Sequence, residues 1–196
     1  MTDLHQQAGN ATVVPADKRG DLIPTHITLR SELNELEQEN ILTASVWAHG
    51  RRHDPVSETF ARKLHRRMFR KVWRWAGKYR TANTNLGVDR TLINQRLQEA
   101  LDNTRFWVQN KTFPPDEIAI RFHHALVSVH PFPDGNGRWS RLMADVLAVR
   151  LGQPRFTWGN GADLEDAGKM RDKYIAALQA ADNNHDFAPL LAFAKS

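Results

Sequence analysis

The sequence predicts an all-α domain, a helical bundle interrupted by one β-hairpin. Three observations predict it. Apolar residues recur every three or four positions over most of the chain beyond residue 22. Glycine and proline punctuate the ends of those periodic runs. One short stretch, residues 79–92, loses the helical period and is rich in Thr and other β-formers.

Taken in order, residues 1–22 are polar and aperiodic and read as a flexible N-terminal tail, ahead of a domain over 23–196. Leu29, Leu33, Leu36, Ile41, Ala44 and Trp47 then recur at helical intervals, and Gly50 ends that run. Asp54 followed by Pro55 has the form of an N-cap with proline at the first helical position. Phe60, Leu64 and Met68 fall four apart and predict a second helix to about Trp75. Ala76-Gly77 breaks it. Tyr79 to Thr84 and Val88 to Leu92 read as strands joined by the turn Asn85-Leu86-Gly87. A third helix is predicted over Ile93–Gln109. Pro114-Pro115-Asp116 resets the chain, and Ile118, Phe122, Ala125, Leu126 and Val129 line one face of a fourth. Two prolines and two glycines forbid a helix from His130 to Gly137. Helical spacing resumes at Leu142, Val146 and Val149 and stops at Gly152, with Pro154 just beyond. A long helix over roughly Leu164–Ala181 and a short one over Phe187–Ala194 complete the bundle.

The 196 residues, 41% hydrophobic and 25% charged, suit a globular domain with a real core. The absence of cysteine excludes disulfides, thiolate catalysis and cysteine–zinc sites, and fits a cytoplasmic location. No run approaches the roughly 18 apolar residues of a membrane span, and the first 21 residues lack the apolar core of a secretory signal. The net charge is +5. Arg62, Lys63, Arg66, Arg67, Arg70, Lys71 and Arg74 are interleaved with Leu64, Met68, Phe69, Val72 and Trp73, as on an amphipathic helix with a basic outer face. No groove-reading element accompanies the charge, so nucleic acid is not the expected partner.

The chemistry concentrates in HPFPDGNGRWSR, His130 to Arg141. This stretch is a tight loop feeding a helix N-terminus, where unpaired N–H groups and the helix dipole favour an anion. Gly135 and Gly137 permit backbone conformations that let their amides and that of Asn136 converge on a phosphate. Arg138 and Arg141, three apart, share a helix face and can clamp outer phosphates. Asp134 is a hard oxygen ligand of the kind Mg2+ requires. His130 stands where an imidazole can accept a proton from a hydroxyl. The residues by themselves thus define a Mg–nucleotide site with a proton acceptor and leave open which group is transferred.

All eight constrained positions of H-x-F-x-[DE]-G-N-G-R-x-x-R are met: His130, Phe132, Asp134, Gly135, Asn136, Gly137, Arg138 and Arg141. At about 5% per position a chance match is on the order of 10⁻¹⁰ per window, so the motif is not accidental. It resembles the Fic (Fic/DOC) family. The likeness extends to WRWAGKYRT, which resembles the family's entry to a hairpin called the flap, and to YIAALQAADNNHDFAPLLAF, similar to its C-terminal helices; about residues 30–195 are covered. The start, LIPTHITLRSELNELEQENI, resembles the mobile mystery protein B branch. The resemblance implies an all-helical Fic fold and a protein adenylyltransferase, moving AMP from ATP to a hydroxyl of a target protein. Position by position, it makes His130 the base and Asp134 the Mg2+ ligand. Gly135, Asn136 and Gly137 would cradle the α- and β-phosphates, and Arg138 and Arg141 the β- and γ-phosphates. The target would add to the edge of the Tyr79–Leu92 hairpin.

Three other readings compete. The Doc branch of the same family transfers a phosphoryl group; Gly135 and Gly137 together favour AMP transfer. A metal-dependent phosphohydrolase would use His123, His124, His130, Asp134, His185 and Asp186, but adjacent helical histidines point about 100° apart. A nucleic-acid accessory protein would rest on Arg62–Arg74 alone. The family resemblance also implies a resting block, in which a glutamate from a partner antitoxin or from the chain itself pairs with Arg141, as in a toxin–antitoxin pair. Glu32, Glu35, Glu37 and Glu39 are on offer. Glu39-Asn40 ends like the inhibitory pattern [ST]-x-x-x-E-[GN], with Glu35 in the Ser/Thr slot, so a separate inhibitory antitoxin is the expectation.

Overall fold

The computed structural model describes residues 20–50, 53–160, 164 and 168–196. They form helices α1 (Arg30–Gly50), α2 (Glu58–Phe69), α3 (Ile93–Asn110), α4 (Pro115–Val129), α5 (Asn136–Arg150), α6 (Lys169–Asn184) and α7 (Ala188–Ala194), with a 3-10 turn at Arg90–Leu92 leading into α3. Helices α4 and α5 pack on each other and organise the rest. Helices α3 and α7 lie against α4, while α1 and α2 pack together and against α5. Phe122 and Leu126 of α4 and Trp139 and Met143 of α5 are fully buried with Leu64, Met68 and Phe69 of α2. Ile120 and Ala144 join Trp158, Tyr174, Leu190 and Phe193 in a second apolar cluster beneath α6 and α7. The Trp139 indole also donates to the Ala61 carbonyl at 2.9 Å, fixing α5 on α2. Losing a buried aromatic of this kind costs about 3–5 kcal/mol. Among the described residues no helix is long and apolar enough to cross a membrane.

The helical expectations hold, with shifted ends. Ser57, not Asp54, caps α2, its hydroxyl accepting the Phe60 N–H at 3.3 Å; Asp54 instead closes a turn onto the Val56 N–H at 2.9 Å. Helix α2 stops at Phe69 rather than near Trp75 because residues 21–23 claim the next backbone groups. Ile23 donates to Val72 O at 2.8 Å, Arg74 donates to Asp21 O at 2.9 Å, and Leu22 bridges Trp73. Leu22, the last residue of the tail read over 1–22, is therefore buried; residues 1–19 lie outside the described residues. Helix α6 starts at Lys169 and not near Leu164, and most of the intervening stretch, 161–163 and 165–167, lies outside the described residues.

The β-hairpin is the main correction. Residues 78–89 form a loop without strand pairing, and the Leu22–Trp73 bridge is isolated. A side chain takes the place of the ladder. Arg80, 5% exposed, donates from Nη1 to Ala82 O at 2.9 Å and from Nη2 to Val88 O, carbonyls that in a hairpin would accept N–H groups of the facing strand. The loop's N–H groups go elsewhere too: Arg80 donates to Pro131 O and Val88 to Val129 O, both at the end of α4. Asn83 closes the base of the loop through Asp89 and the Arg90 N–H, each at 2.8 Å.

Candidate active site

Helix α4 ends on His130, whose φ of 51° and ψ of 58° place it in the left-handed region. Few non-glycine residues adopt that conformation, and it persists where surrounding contacts over-determine it. Here the Arg80 Nε donates to the His130 carbonyl at 2.8 Å and the His130 N–H reaches Leu126 O at 3.3 Å. The turn then drives Phe132 into the core. Its ring stacks on the His65 imidazole at 3.6 Å and meets Trp139 edge-on at 4.9 Å. Asn136 closes the loop: its Oδ1 accepts the Phe132 N–H at 2.9 Å and its Nδ2 donates to the Phe132 carbonyl at 2.8 Å. The Asn136 side chain is thereby committed to loop shape. Gly135, at φ 74°, caps α5, and a Cβ there would stand 2.5 Å from the buried Phe69 ring.

His65 underlies the whole turn. The Gly77 N–H donates to its Nδ1 at 2.9 Å, so the proton sits on Nε2, which donates to the Asp134 carbonyl at 3.1 Å. Burial pushes its pKa down to about 3, and it is neutral throughout the physiological range.

His130, Asp134, Gly135, Asn136, Gly137, Arg138 and Arg141 line a single cavity of about 670 Å³. Glu37 and Trp73 close one side of it. Leu86, Gly87 and Val88 of the loop form a rim, and His124, Arg171, Tyr174 and Asp182 stand among the remaining wall residues. The Asp134 Oδ1 accepts the Gly135 N–H at 2.7 Å. Arg141 lies 5.7 Å from the centre of the Tyr174 ring. Burial holds the His130 pKa below its ordinary 6.5, aided by the Arg80 cation and opposed by a hydrogen bond to the Val127 carbonyl and by the Asp134 carboxylate. A neutral imidazole carries its proton on one ring nitrogen and keeps a lone pair on the other. Backbone amides at a helix start, two guanidiniums, a carboxylate and a neutral imidazole together suit a polyphosphate beside a group that must lose a proton.

Three residues of this site were not singled out in the sequence. Glu37 is buried and pairs with Arg138 at 2.5 Å while accepting the Trp73 indole N–H, also at 2.5 Å. Glu39 is exposed. The acidic contact to the motif therefore comes from Glu37 rather than Glu39, and falls on Arg138 rather than Arg141. Arg80 and His65 are the other two. The phosphohydrolase set does not assemble: His123 is buried against the Tyr174 hydroxyl at 3.0 Å, and His124 pairs with Asp182 at 2.8 Å. Among the described residues no three His, Asp or Glu side chains are grouped to hold a metal.

Residues 55–148, which carry α2 to α4, most of α5 and the motif residues of this cavity, match the Fic/DOC family. Protein adenylyltransferase fic-1 of Caenorhabditis elegans is 32% identical over 145 residues, covering 72% of this chain and 27% of the relative. Protein adenylyltransferase Fic of Aedes aegypti is 34% identical over 100 residues, 50% of this chain and 18% of the relative. Among solved structures, Fic-1 from C. elegans aligns with a TM-score of 0.66 at 26% identity, over 90% of this chain and 51% of that one. BepC from Bartonella tribocorum, solved with bound AMPPNP, aligns with a TM-score of 0.66 at 16% identity over 91% and 95%, a likeness of fold. The chain belongs to the Fic/DOC family. It spans about a quarter or less of the length of these curated relatives.

Proposed function

We propose that this chain is a protein adenylyltransferase of the mobile mystery protein B branch, transferring AMP from ATP to a hydroxyl side chain of a target protein. The observation that carries the reading is the convergence of seven of the eight motif residues on one cavity, with Gly135, Asn136 and Gly137 at the start of α5. The hydroxyl oxygen bonds to the α-phosphorus, the bond from that phosphorus to the bridging oxygen breaks, and pyrophosphate leaves. His130 takes the hydroxyl proton on its lone-pair nitrogen. The amides of Gly135, Asn136 and Gly137 would hold the α- and β-phosphates, that of Gly135 on leaving the Asp134 Oδ1, and Arg138 and Arg141 the outer ones. Asp134 fits a Mg2+ ion, being a carboxylate in the cavity beside that nest; the ion would supply neutralisation of phosphate charge. The target docks on the 79–92 segment, now through the rim of the loop and its exposed Leu86 rather than a strand edge. A separate antitoxin would act on the same cavity, as in a toxin–antitoxin pair.

ATP labelled at the α-phosphate, with Mg2+, is expected to mark a target or the chain itself, and ATP labelled at the γ-phosphate is not. The reverse pattern would favour phosphoryl transfer as in the Doc branch.

A further inference from the structure

Arg80 is the most heavily engaged side chain near the cavity and lies outside the twelve-residue motif. Its guanidinium is buried, and it meets three carbonyls that belong to different parts of the chain: His130, Ala82 and Val88. Its own N–H donates to Pro131 O at 2.9 Å. One residue thus grips the backbone on both sides of the His130–Pro131 peptide and both arms of the loop. Gly87 completes the contact. At φ 90°, its Cα sits so close to the histidine that a Cβ would fall 2.4 Å from His130 Cβ and 2.9 Å from Val129 O. The loop rim and His130 are in direct apposition, and only glycine permits it.

We propose that Arg80 is a positioning residue that couples the loop to His130, so that the rim presenting the target hydroxyl and the imidazole accepting its proton are set by the same guanidinium. This rests on the adenylyltransferase reading and goes beyond it by assigning a residue that touches neither nucleotide nor target. A planar fork with several donors suits the task, because three carbonyls arranged around it must be met at once. Lysine keeps the charge and loses the fork. The amides assigned to the nucleotide lie at the start of α5, while the Arg80 hydrogen bonds go to His130, Pro131, Ala82 and Val88, so its loss should separate transfer from ATP binding.

The test is Arg80→Lys in the full chain, with Gly87→Ala as an independent way of lifting the loop from His130. In both, the kcat for transfer should fall about 10–100-fold, the range set by misplacing a reacting group by about 1 Å. The Kd for a non-hydrolysable ATP analogue should stay within about twofold of the parent. In side-chain 15N–1H spectra the His130 signal should move in both variants while the signals of buried His65 and His123 stay. Wild-type kcat with an unmoved His130 signal overturns the coupling. So does an analogue affinity lost in step with kcat, which would make Arg80 a general structural residue. The His130 signal reports the coupling without turnover. A parent chain that fails to transfer AMP would therefore be recognised as failure of the adenylyltransferase reading.

Discussion

Glu37 and Arg138 stand 101 residues apart in sequence and 2.5 Å apart in space, with side chains only 7% and 13% exposed. The pair places a carboxylate on a guanidinium that the adenylyltransferase reading assigns to a phosphate, so on that reading ATP competes with Glu37. Glu37→Gln removes the charge and keeps an acceptor for the Trp73 indole. Affinity for an ATP analogue is expected to rise about tenfold, equivalent to about 1.4 kcal/mol, and transfer should rise with it. The unliganded protein should lose up to about 3–5 kcal/mol, because the buried Arg138 guanidinium loses the carboxylate it pairs with. Glu39→Gly, at an exposed position, should change stability by only about 0.5 kcal/mol or less. Calorimetric titration and thermal melts on both variants check this. A large gain of activity in Glu39→Gly with none in Glu37→Gln would reverse the assignment.

His130→Ala should lower transfer about 10²–10⁴-fold with ATP binding retained. The active form is the neutral ring, so the rate falls as pH drops through the His130 pKa. Burial lowers that pKa from 6.5, which moves the acid limb of the pH–rate profile to the acidic side of 6.5. An acid limb above 6.5 would mean that another group is the base.

Asn136→Ala should cost about 1–3 kcal/mol, since the Phe132 N–H and C=O would be buried without their partners. Gly135→Ala sets a Cβ against the Phe69 ring in a left-handed backbone, with strain of about 1–3 kcal/mol. Both should abolish ATP-analogue binding at temperatures where circular dichroism still reports a folded chain. Retained binding would show that the loop tolerates another shape.

Stability should decline on the acid side of pH 6.5. His65 and His123 are fully buried, and burial takes each to a pKa of about 3. Above 6.5 neither binds a proton in either state. Between 6.5 and about 3 the unfolded chain binds protons that the folded chain refuses, so stability is lost as pH falls, by about 1.4 kcal/mol per pH unit for each histidine. Asp145 offsets one of them over part of that range. Burial raises its pKa to about 6, so the folded state gains protons there between about 6 and 3.8. Unfolding midpoints in urea between pH 7 and 5 should show the decline, and His65→Asn should flatten it.

The motif was legible because its chemistry is contiguous: twelve residues carry the amides, the carboxylate, the guanidiniums and the base, and a match needs no knowledge of the fold. The helices were legible from their period, although helix ends depend on partners far away, as when Asp21–Ile23 took the backbone of Val72–Arg74. The hairpin was misread because Thr and Val favour strands only when the ladder is free to form, and Arg80 had already taken the carbonyls. Glu37 was not singled out from four glutamates because facing cannot be read from acidity. The signal was present, however: Leu33, Glu37, Asn40, Ala44 and Ala48 are all buried at helical spacing. A polar residue on an apolar stripe announces a buried partner. His65 lies within a basic run, between Leu64 and Arg66, where nothing in the sequence distinguishes it from the outward-facing charges.

The position of Glu37 on the first helix has a consequence for the order of synthesis. A ribosome adds about 5–20 residues per second, with N-terminal parts emerging first. Glu37 therefore precedes Arg138 by 101 residues, on the order of ten seconds. When the turn that carries Arg138 first folds, the carboxylate it pairs with is already out of the exit tunnel. On the adenylyltransferase reading, a block supplied from the C-terminal end or by a second protein would leave an interval in which the nascent chain meets ATP unguarded. A carboxylate carried on α1 leaves none.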